Sequence, residues 1–121
     1  MKVYIDVNVI YYFLTASEEF GERAEELLEK YSGDLITSAL TVWQLYILFR
    51  RQKAKFSIGD ILSDLGIEVV PLTAEILRNA EKCKKLDFDD AIHYVTMKAH
   101  GITTILSNDR DFDKVDVKRI F

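Results

Sequence analysis

The most constraining feature of the sequence is a mainly apolar run near its start that ends on a carboxylate. Residues Val3–Ile5 form this run, Asp6 follows directly, and Asn8 stands two residues later. A short run of this kind is typical of a strand that is buried on both faces of a parallel sheet. In open α/β sheets, ligands bind at the carboxyl ends of the strands. The run therefore predicts a buried strand that places Asp6 where a ligand binds.

The rest of the chain alternates helical patterns with short apolar runs. A helix is expected to begin near residues 10–14, and apolar residues at helical spacing predict further helices over about 17–32, 39–53, 57–65, 73–84 and 87–100. The runs at 35–37, 67–70, 102–106 and 117–120 predict strands, the last of them at a sheet edge. Strands separated by helices pair in parallel through right-handed crossovers. We therefore expect residues 1–121 to form one α/β domain, a three-layer α/β/α sandwich with a mainly parallel sheet.

The apolar positions of two helices predict which faces are buried. For the helix over 39–53, the expected core residues are Leu40, Trp43, Ile47 and Leu48, with Gln44 on the same side. For the helix over 87–100, they are Phe88, Ala91, Ile92, Val95 and Ala99. Tyr11, Tyr12 and Trp43 are interpreted as core or subunit contacts.

Composition excludes several classes of protein. A net charge of −4 argues against coating nucleic acid through bulk positive charge. Cys83 is the single cysteine, and His93 and His100 stand seven apart without partners, so neither an internal disulfide nor a zinc site is predicted. Both histidines are interpreted as packed or surface imidazoles. No apolar run approaches the length of a membrane span, so we expect a cytoplasmic protein without membrane attachment.

Acidic side chains recur where predicted strands end or helices begin. These are Asp6, the group Asp87, Asp89 and Asp90, and the pair Asp109 and Asp111. A few carboxylates and waters hold Mg²⁺ or Mn²⁺ and leave positions open for phosphate oxygens, which suits phosphodiester hydrolysis. The alternative is structural, because acids at a helix start favour its dipole and cap its N–H groups. Asp87 and Asp89 are interpreted as capping or solvated acids, and Asp111 fits a turn equally well.

Four motifs, taken in order, resemble the PIN-domain family, and in particular its small VapC-type toxins. They are IDVN at 5–8, ITSALT at 36–41, FDDAI at 88–92 and LSNDRDF at 106–112. Together they extend over essentially the whole chain. The resemblance implies a ribonuclease that depends on Mg²⁺ or Mn²⁺ and hydrolyses RNA. It also implies a homodimer and a cognate antitoxin as partner.

The resemblance also implies roles for individual residues. Asp6, Asp90 and Asp109 match catalytic metal-binding acids of the family, and Asp111 is a further candidate ligand. The supporting polar residues are Asn8, Gln44, Ser107 and Asn108. Gln44 stands where the family usually has a glutamate, and an amide brings no negative charge. This departure makes a PIN-like module that binds RNA or protein without cutting the main alternative.

Two further interpretations concern other parts of the sequence. The basic residues Arg50, Arg51, Lys53 and Lys55 either contact an RNA backbone or complement the C-terminal end of their own helix. A receiver-type phosphoacceptor also has acids at strand ends. It is less favoured here, because no carboxylate ends the strand at 67–70 and no lysine ends the strand at 102–106.

Overall fold

The computed structural model describes residues 1–50 and 57–121, which form helices packed around one sheet. The strands are β1 (Val3–Ile5), β2 (Leu35–Ser38), β3 (Glu68–Val70), β4 (Thr104–Leu106) and β5 (Lys118–Ile120). The helices are α1 (Val7–Leu14), α2 (Gly21–Lys30), α3 (Ala39–Phe49), α4 (Ile58–Asp64), α5 (Ala74–Glu81) and α6 (Phe88–Ala99), with a short 3₁₀ turn at Arg110–Lys114. Within these described ranges, no helix is long and apolar enough to cross a membrane.

The sheet is parallel throughout and has the strand order β3-β2-β1-β4-β5. Strand β1 is central, and Tyr4 pairs with Ile36 on one side and with Ile105 on the other. The chain winds outward from β1 to β3 and then returns to add β4 and β5 on the other side. The carboxyl ends of all five strands therefore share one edge, and the predicted α/β sandwich with an edge strand near residue 118 is confirmed.

Alternate residues of the central strand pack into two separate hydrophobic cores. Val3 and Ile5 pack with residues of α1, α2 and α4 on one face. Tyr4 points to the other face, where it packs with residues of α5 and α6. Successive side chains of a strand point to opposite faces, so a strand with a core on each side is apolar throughout. This explains why Val3–Ile5 shows no alternation with polar residues.

The predicted buried face of α3 is wrong. Trp43 is 62% exposed, Ile47 is 39% exposed and Leu48 is 45% exposed, while Leu40 is half-buried. The buried residues of α3 are instead Thr41, Leu45 and Phe49. The helix is apolar nearly all round, so the spacing of its apolar residues does not select one face. The side of α3 that carries Trp43 is an exposed apolar surface.

The predicted face of α6 is partly wrong. Ala91 and Ile92 are buried as expected, but Phe88 is 50% exposed and Ala99 is also exposed. The rest of the buried face consists of His93, Thr96 and Met97. Thr96 can be buried because its hydroxyl donates to the Ile92 carbonyl oxygen at 2.7 Å. Internal hydrogen bonds thus allow polar side chains on a face that was expected to be apolar.

Helix starts are predicted well where a side chain caps them. The Ser38 and Ser57 hydroxyls accept the backbone N–H groups of Leu40 and Asp60, as expected for helix caps. Helix α2 begins only at Gly21, because the Ser17 hydroxyl instead accepts the N–H of Phe20 in a preceding turn. The predicted continuation of α3 to residue 53 lies outside the described residues, as do Arg51, Lys53 and Lys55. Arg50 is exposed at the end of α3.

Candidate metal centre

Three acids meet at the carboxyl edge of the sheet. One carboxylate oxygen from each of Asp90, Asp109 and Asp111 lies within 4.8 Å of the others. Asp90 comes from the first turn of α6, and the other two come from the 3₁₀ turn after β4. Asp109 caps that turn, because its Oδ1 accepts the backbone N–H of Asp111 at 2.9 Å. We call these three residues, all half-buried, the acid triad.

Asp6 follows β1 directly, and its carboxylate accepts three hydrogen bonds. Its Oδ1 accepts the backbone N–H of Val7 at 2.8 Å, which caps α1 and makes that helix begin at Val7 rather than near residue 10. Its Oδ2 accepts the Ser107 hydroxyl at 2.7 Å and the Asn8 side-chain amide at 3.2 Å. The side chain is only 4% exposed. Asp6 is therefore a fixed, hydrogen-bonded carboxylate outside the acid triad.

Ser107 and Asn108 connect Asp6 with the acid triad. The Ser107 hydroxyl oxygen accepts the N–H of Asp109 at 3.0 Å while donating to Asp6. Asn108 donates its backbone N–H to the Asn8 side-chain oxygen at 3.3 Å. The polar side chains that follow β1 and β4 thus form one connected network. Its effect is to hold the turn that carries Asp109 against the end of β1.

The electrostatics of this edge favour a bound cation. Partial burial and repulsion from Asp109, Asp89 and Asp6 raise the pKa of Asp90 to about 8. Burial also raises the pKa of Asp6, although hydrogen bonds such as that from Ser107 oppose the shift. Carboxylates that repel one another in a partly buried site gain most from a nearby positive charge. The negative charges of these acids thus repel one another, and a bound cation would reduce that repulsion.

The donor set fits a hard divalent ion. The acid triad offers carboxylate oxygens only, which are the ligands that Mg²⁺ and Mn²⁺ prefer, whereas zinc and copper favour nitrogen and sulfur. Asp87 and Asp89 are exposed near the start of α6, and Asp87 makes no side-chain hydrogen bond to cap it. In the described part of the chain, Asp90, Asp109 and Asp111 would hold the ion, with Asp6 adding charge nearby.

His93 is a buried polar residue that sequence reasoning did not single out. Its Nδ1 lies 2.6 Å from the Tyr4 hydroxyl, and its Nε2 lies 3.0 Å from the Gln44 Oε1. The Tyr4 oxygen accepts the N–H of Ser38 at 3.1 Å, so the Tyr4 proton is free to point at Nδ1. Burial lowers the pKa of His93 and so keeps the ring neutral. Because Nδ1 accepts the Tyr4 proton, the proton of the ring lies on Nε2. Gln44 therefore accepts a hydrogen bond from His93.

The sequence signal for this network was that His93 follows Asp90 by three residues. In the structure, His93 lies on the buried side of the same helix. Its partners Tyr4 and Gln44 are far away in sequence, so spacing alone could not reveal them. The network ties β1, α3 and α6 together beneath the carboxyl edge of the sheet. It also gives Gln44 a defined partner at the position where the resemblance leads us to expect a charged residue.

The fold and the acid triad define a parallel α/β domain with a cluster of acids at the carboxyl edge of its sheet. Residues 3–118 match the family model described as PIN domain. The match spans far more than half of the chain. The chain therefore belongs to the PIN-domain family, as the four sequence motifs predicted.

Individual relatives are VapC proteins. The chain is 29% identical over 127 residues to Ribonuclease VapC1 of Aquifex aeolicus, covering 97% of this chain and 88% of that protein. It resembles the crystal structure of Mycobacterium tuberculosis VapC20, described as a Sarcin-Ricin loop cleaving toxin, with a TM-score of 0.79, 18% identity and coverage of 96% and 98%. A toxin-antitoxin complex from Klebsiella pneumoniae gives a TM-score of 0.76 at 15% identity, covering 99% and 97%. These structural similarities confirm the fold.

Proposed function

We propose that this protein is a divalent-metal-dependent ribonuclease that hydrolyses RNA phosphodiester bonds and acts as the toxin of a toxin-antitoxin pair. The observation that carries the proposal is the acid triad, three carboxylates from two separate segments within 4.8 Å of one another. Membership of the PIN-domain family and similarity to proteins named ribonucleases support the same reaction.

The chain's own residues supply binding and orientation. Asp90, Asp109 and Asp111 would hold Mg²⁺ or Mn²⁺, and Asp6 would add its negative charge while fixing Ser107 in place. A divalent ion bound there would supply Lewis-acid chemistry toward a phosphoryl oxygen and toward water. Hydrolysis then adds water across one P–O bond of the RNA. That Asp6 is itself a ligand stays a prediction.

The proposed assembly follows the resemblance to VapC-type toxins. That resemblance implies an antitoxin as partner, and the Klebsiella pneumoniae neighbour is described as a toxin-antitoxin complex. We propose a cognate antitoxin as the protein partner of this chain, and a homodimer as its own state. The exposed apolar side of α3, with Trp43, Tyr46 and Leu48, supports an association surface.

A second function is favoured by one specific observation. Gln44 replaces the glutamate that is usual in the family, and its Oε1 accepts a hydrogen bond from His93. With one negative charge fewer, the site binds metal less strongly, and the domain then binds RNA or a protein without cutting it. RNA binding without metal-dependent cleavage is the result that this alternative predicts.

Incubation of the purified protein with structured RNA decides between the two functions. We expect fragments with Mn²⁺ or Mg²⁺ and none with chelator. The Asp90→Asn variant should lose the activity, because it removes one carboxylate of the acid triad. The matched control is Asp64→Asn, which removes one exposed carboxylate from the end of α4 and should cleave like wild type.

Two outcomes would contradict the ribonuclease proposal. One is the absence of metal-dependent fragments from the wild-type protein, which would favour the binding module. The other is full activity of Asp90→Asn, which would assign the fragments to a contaminating nuclease or to a different site. Equal losses in Asp90→Asn and Asp64→Asn would show that the assay reports net charge rather than the acid triad.

A further inference from the structure

A cavity of about 760 Å³ lies between α6, the α5–α6 connection and the segment after the 3₁₀ turn. Four lysines line it, namely Lys82, Lys84, Lys85 and Lys114, together with Asn79, Cys83, Tyr94, Val95, Val115 and Asp116. We call it the lysine cavity. All four lysines are exposed. Such a concentration of positive charge is unexpected on a chain with a net charge of −4.

Lys114 joins the lysine cavity to the acid triad. It lines the cavity, and its Nζ lies 3.0 Å from the Asp111 Oδ1. The cavity therefore opens directly beside the candidate metal centre.

The positive charge of the cavity is not neutralised by its own acid. Asp116 is the one carboxylate in the lining, and it is already bound by the Lys98 ammonium at 2.6 Å and by the Tyr94 hydroxyl. Lys98 is not itself part of the lining. The charges of Lys82, Lys84 and Lys85 are thus directed to solvent, where an anionic ligand can approach them.

Acidic residues enter the surface on the α5 side. A neighbouring cavity of about 670 Å³ shares Lys82 and Lys84 and also includes Arg78, Glu75 and Glu81. The two glutamates offset part of the positive charge there, whereas Asp116 is the one acid that lines the lysine cavity. An anionic chain therefore meets more uncompensated positive charge in the lysine cavity than at α5.

The walls of the cavity suit a nucleic acid strand. The Tyr94 side chain is half-buried in the wall, and the Lys98 ammonium lies over its ring, 5.5 Å from the ring centre. Aromatic rings of this kind are surfaces on which bases stack in single-stranded complexes. Lysines that neutralise phosphates supply most of the sequence-independent affinity for nucleic acids. Grooves that bind single-stranded nucleic acids combine several positively charged groups with aromatic rings in the same way.

We propose that the lysine cavity binds the phosphate backbone of single-stranded RNA next to the bond that is cut, with Lys82, Lys84 and Lys85 as the principal contacts. This inference rests on the proposed function, since it makes RNA the ligand. It assigns substrate binding to the α5–α6 connection rather than to the basic run that begins at Arg50. Lys114 is the positioning residue between the cavity and the acid triad.

Binding of a short fluorescein-labelled single-stranded RNA, followed by anisotropy in chelator, tests the proposal without cleavage. The test variant replaces Lys82, Lys84 and Lys85 with glutamine. The matched control replaces Lys2, Lys30 and Lys118 with glutamine, which removes the same charge. Lys2 and Lys118 lie at the amino ends of β1 and β5, away from the carboxyl edge. Melting temperatures verify that both variants fold.

We expect the cavity variant to bind at least about tenfold more weakly at low salt, with the control close to wild type. The slope of log K against log salt should become shallower by about 2, since each lost phosphate contact on a single strand contributes about 0.7. Equal losses in the two variants would overturn the proposal, because net charge would then explain both. It would also be overturned by unchanged binding of the cavity variant, or by no detectable binding of wild type.

Cleavage assays on the same proteins separate this proposal from the ribonuclease proposal. If wild type does not cleave with metal but the cavity variant binds RNA less well, the ribonuclease function fails and the lysine cavity stands. If wild type cleaves and the cavity variant cleaves with unchanged KM and kcat, the lysine cavity fails and the ribonuclease stands. We expect a raised KM with little change in kcat, since the lysines contact substrate away from the reacting phosphate.

Discussion

Gln44 Oε1 on α3 accepts a hydrogen bond from His93 Nε2 at 3.0 Å. His93 lies on α6, the helix that also presents Asp90 to the acid triad. The carboxylates of Asp6 and Asp89 act electrostatically on His93, although burial outweighs them and keeps its pKa low. Gln44 is therefore joined to a neutral imidazole that lies within the electrostatic influence of the acids. A charge introduced at residue 44 would act on both the histidine and the metal centre.

The first prediction concerns Gln44→Glu. A carboxylate at this position adds repulsion to acids that already raise one another's pKa values, so the metal-free protein should melt at a lower temperature. A cation at the acid triad offsets the added charge, so Mn²⁺ should restore the melting temperature, bind more tightly and increase RNA cleavage. A melting curve for each protein across a Mn²⁺ titration measures this effect.

The matched variant for this experiment is Gln44→Leu, which removes the acceptor of the His93 N–H without adding charge. An unpaired buried N–H costs about 1–3 kcal/mol, and Mn²⁺ should not reverse that loss of stability. If Gln44→Glu behaves in the same way as Gln44→Leu, with a destabilisation that metal does not relieve, residue 44 is part of the core network alone.

The second prediction distinguishes Asp90 from Asp6. Asp90→Asn removes a carboxylate whose pKa is raised by burial and repulsion, so the metal-free protein should melt at a higher temperature. Asp6→Asn should melt lower, because the Asp6 carboxylate accepts three hydrogen bonds and an amide NH₂ would face at least one donor. The expected cost is about 1–3 kcal/mol. Calorimetry in chelator gives both values, and an Asp6→Asn protein as stable as wild type would contradict the prediction.

Stability without metal should also depend on pH. The pKa of Asp90 rises from an ordinary 3.8 to about 8 on folding, so between about pH 4 and pH 8 the folded protein binds more protons than the unfolded chain. The free energy of unfolding should therefore fall as pH rises through that range and level off above it. Asp6, with its raised pKa, contributes in the same direction.

His93 acts in the opposite direction, since its lowered pKa favours folding as pH rises toward 6.5. The comparison that isolates Asp90 is therefore the difference in unfolding free energy between wild type and Asp90→Asn, followed by urea denaturation in chelator. That difference should change steadily from pH 4 to pH 8. A constant difference would mean that the Asp90 carboxyl titrates alike in the folded and unfolded protein.

A further prediction concerns association through α3. Trp43, Tyr46, Ile47 and Leu48 form an exposed apolar surface, and a homodimer that covers it should bury at least about 1,000 Å². Sedimentation should show a dimer for wild type and a monomer for Trp43→Glu. Phe88→Glu, which changes another exposed aromatic residue, on α6, is the control and should remain dimeric. A wild-type monomer throughout a concentration series would contradict the prediction.

Most of the fold could be predicted because local signals agreed with it. The run Val3–Ile5 lacks alternation because it has a core on each face, and Ser38 and Ser57 mark helix starts through their own hydroxyls. The face of α3 could not be predicted. Its residues are apolar nearly all round, so the choice between Trp43 and Leu45 as the buried residue depends on which neighbours pack there.

The acids of the site could be proposed from their positions at strand ends, but their arrangement could not. The grouping of Asp111 with Asp90 and Asp109 depends on the 3₁₀ turn that Asp109 caps. The burial of His93 depends on a hydrogen bond from Tyr4, which is 89 residues away in sequence. Periodicity describes one element at a time, and these contacts join separate elements.

The hydrogen bond between Asp6 and Ser107 spans 101 positions of the chain. During synthesis, Asp6 and Asp90 leave the ribosome before β4 and the turn that carries Ser107, Asp109 and Asp111. A nascent chain that ends before residue 104 therefore has helices α1 to α6 and strands β1, β2 and β3, but only part of the acidic edge. We expect the ability to bind a divalent ion to arise at the last step of folding, when β4 inserts beside β1. Purified chains truncated before residue 104 and after residue 112 should differ in Mn²⁺-induced resistance to protease. A cell producing this protein would then encounter an assembled acid triad only on chains whose translation has passed this turn.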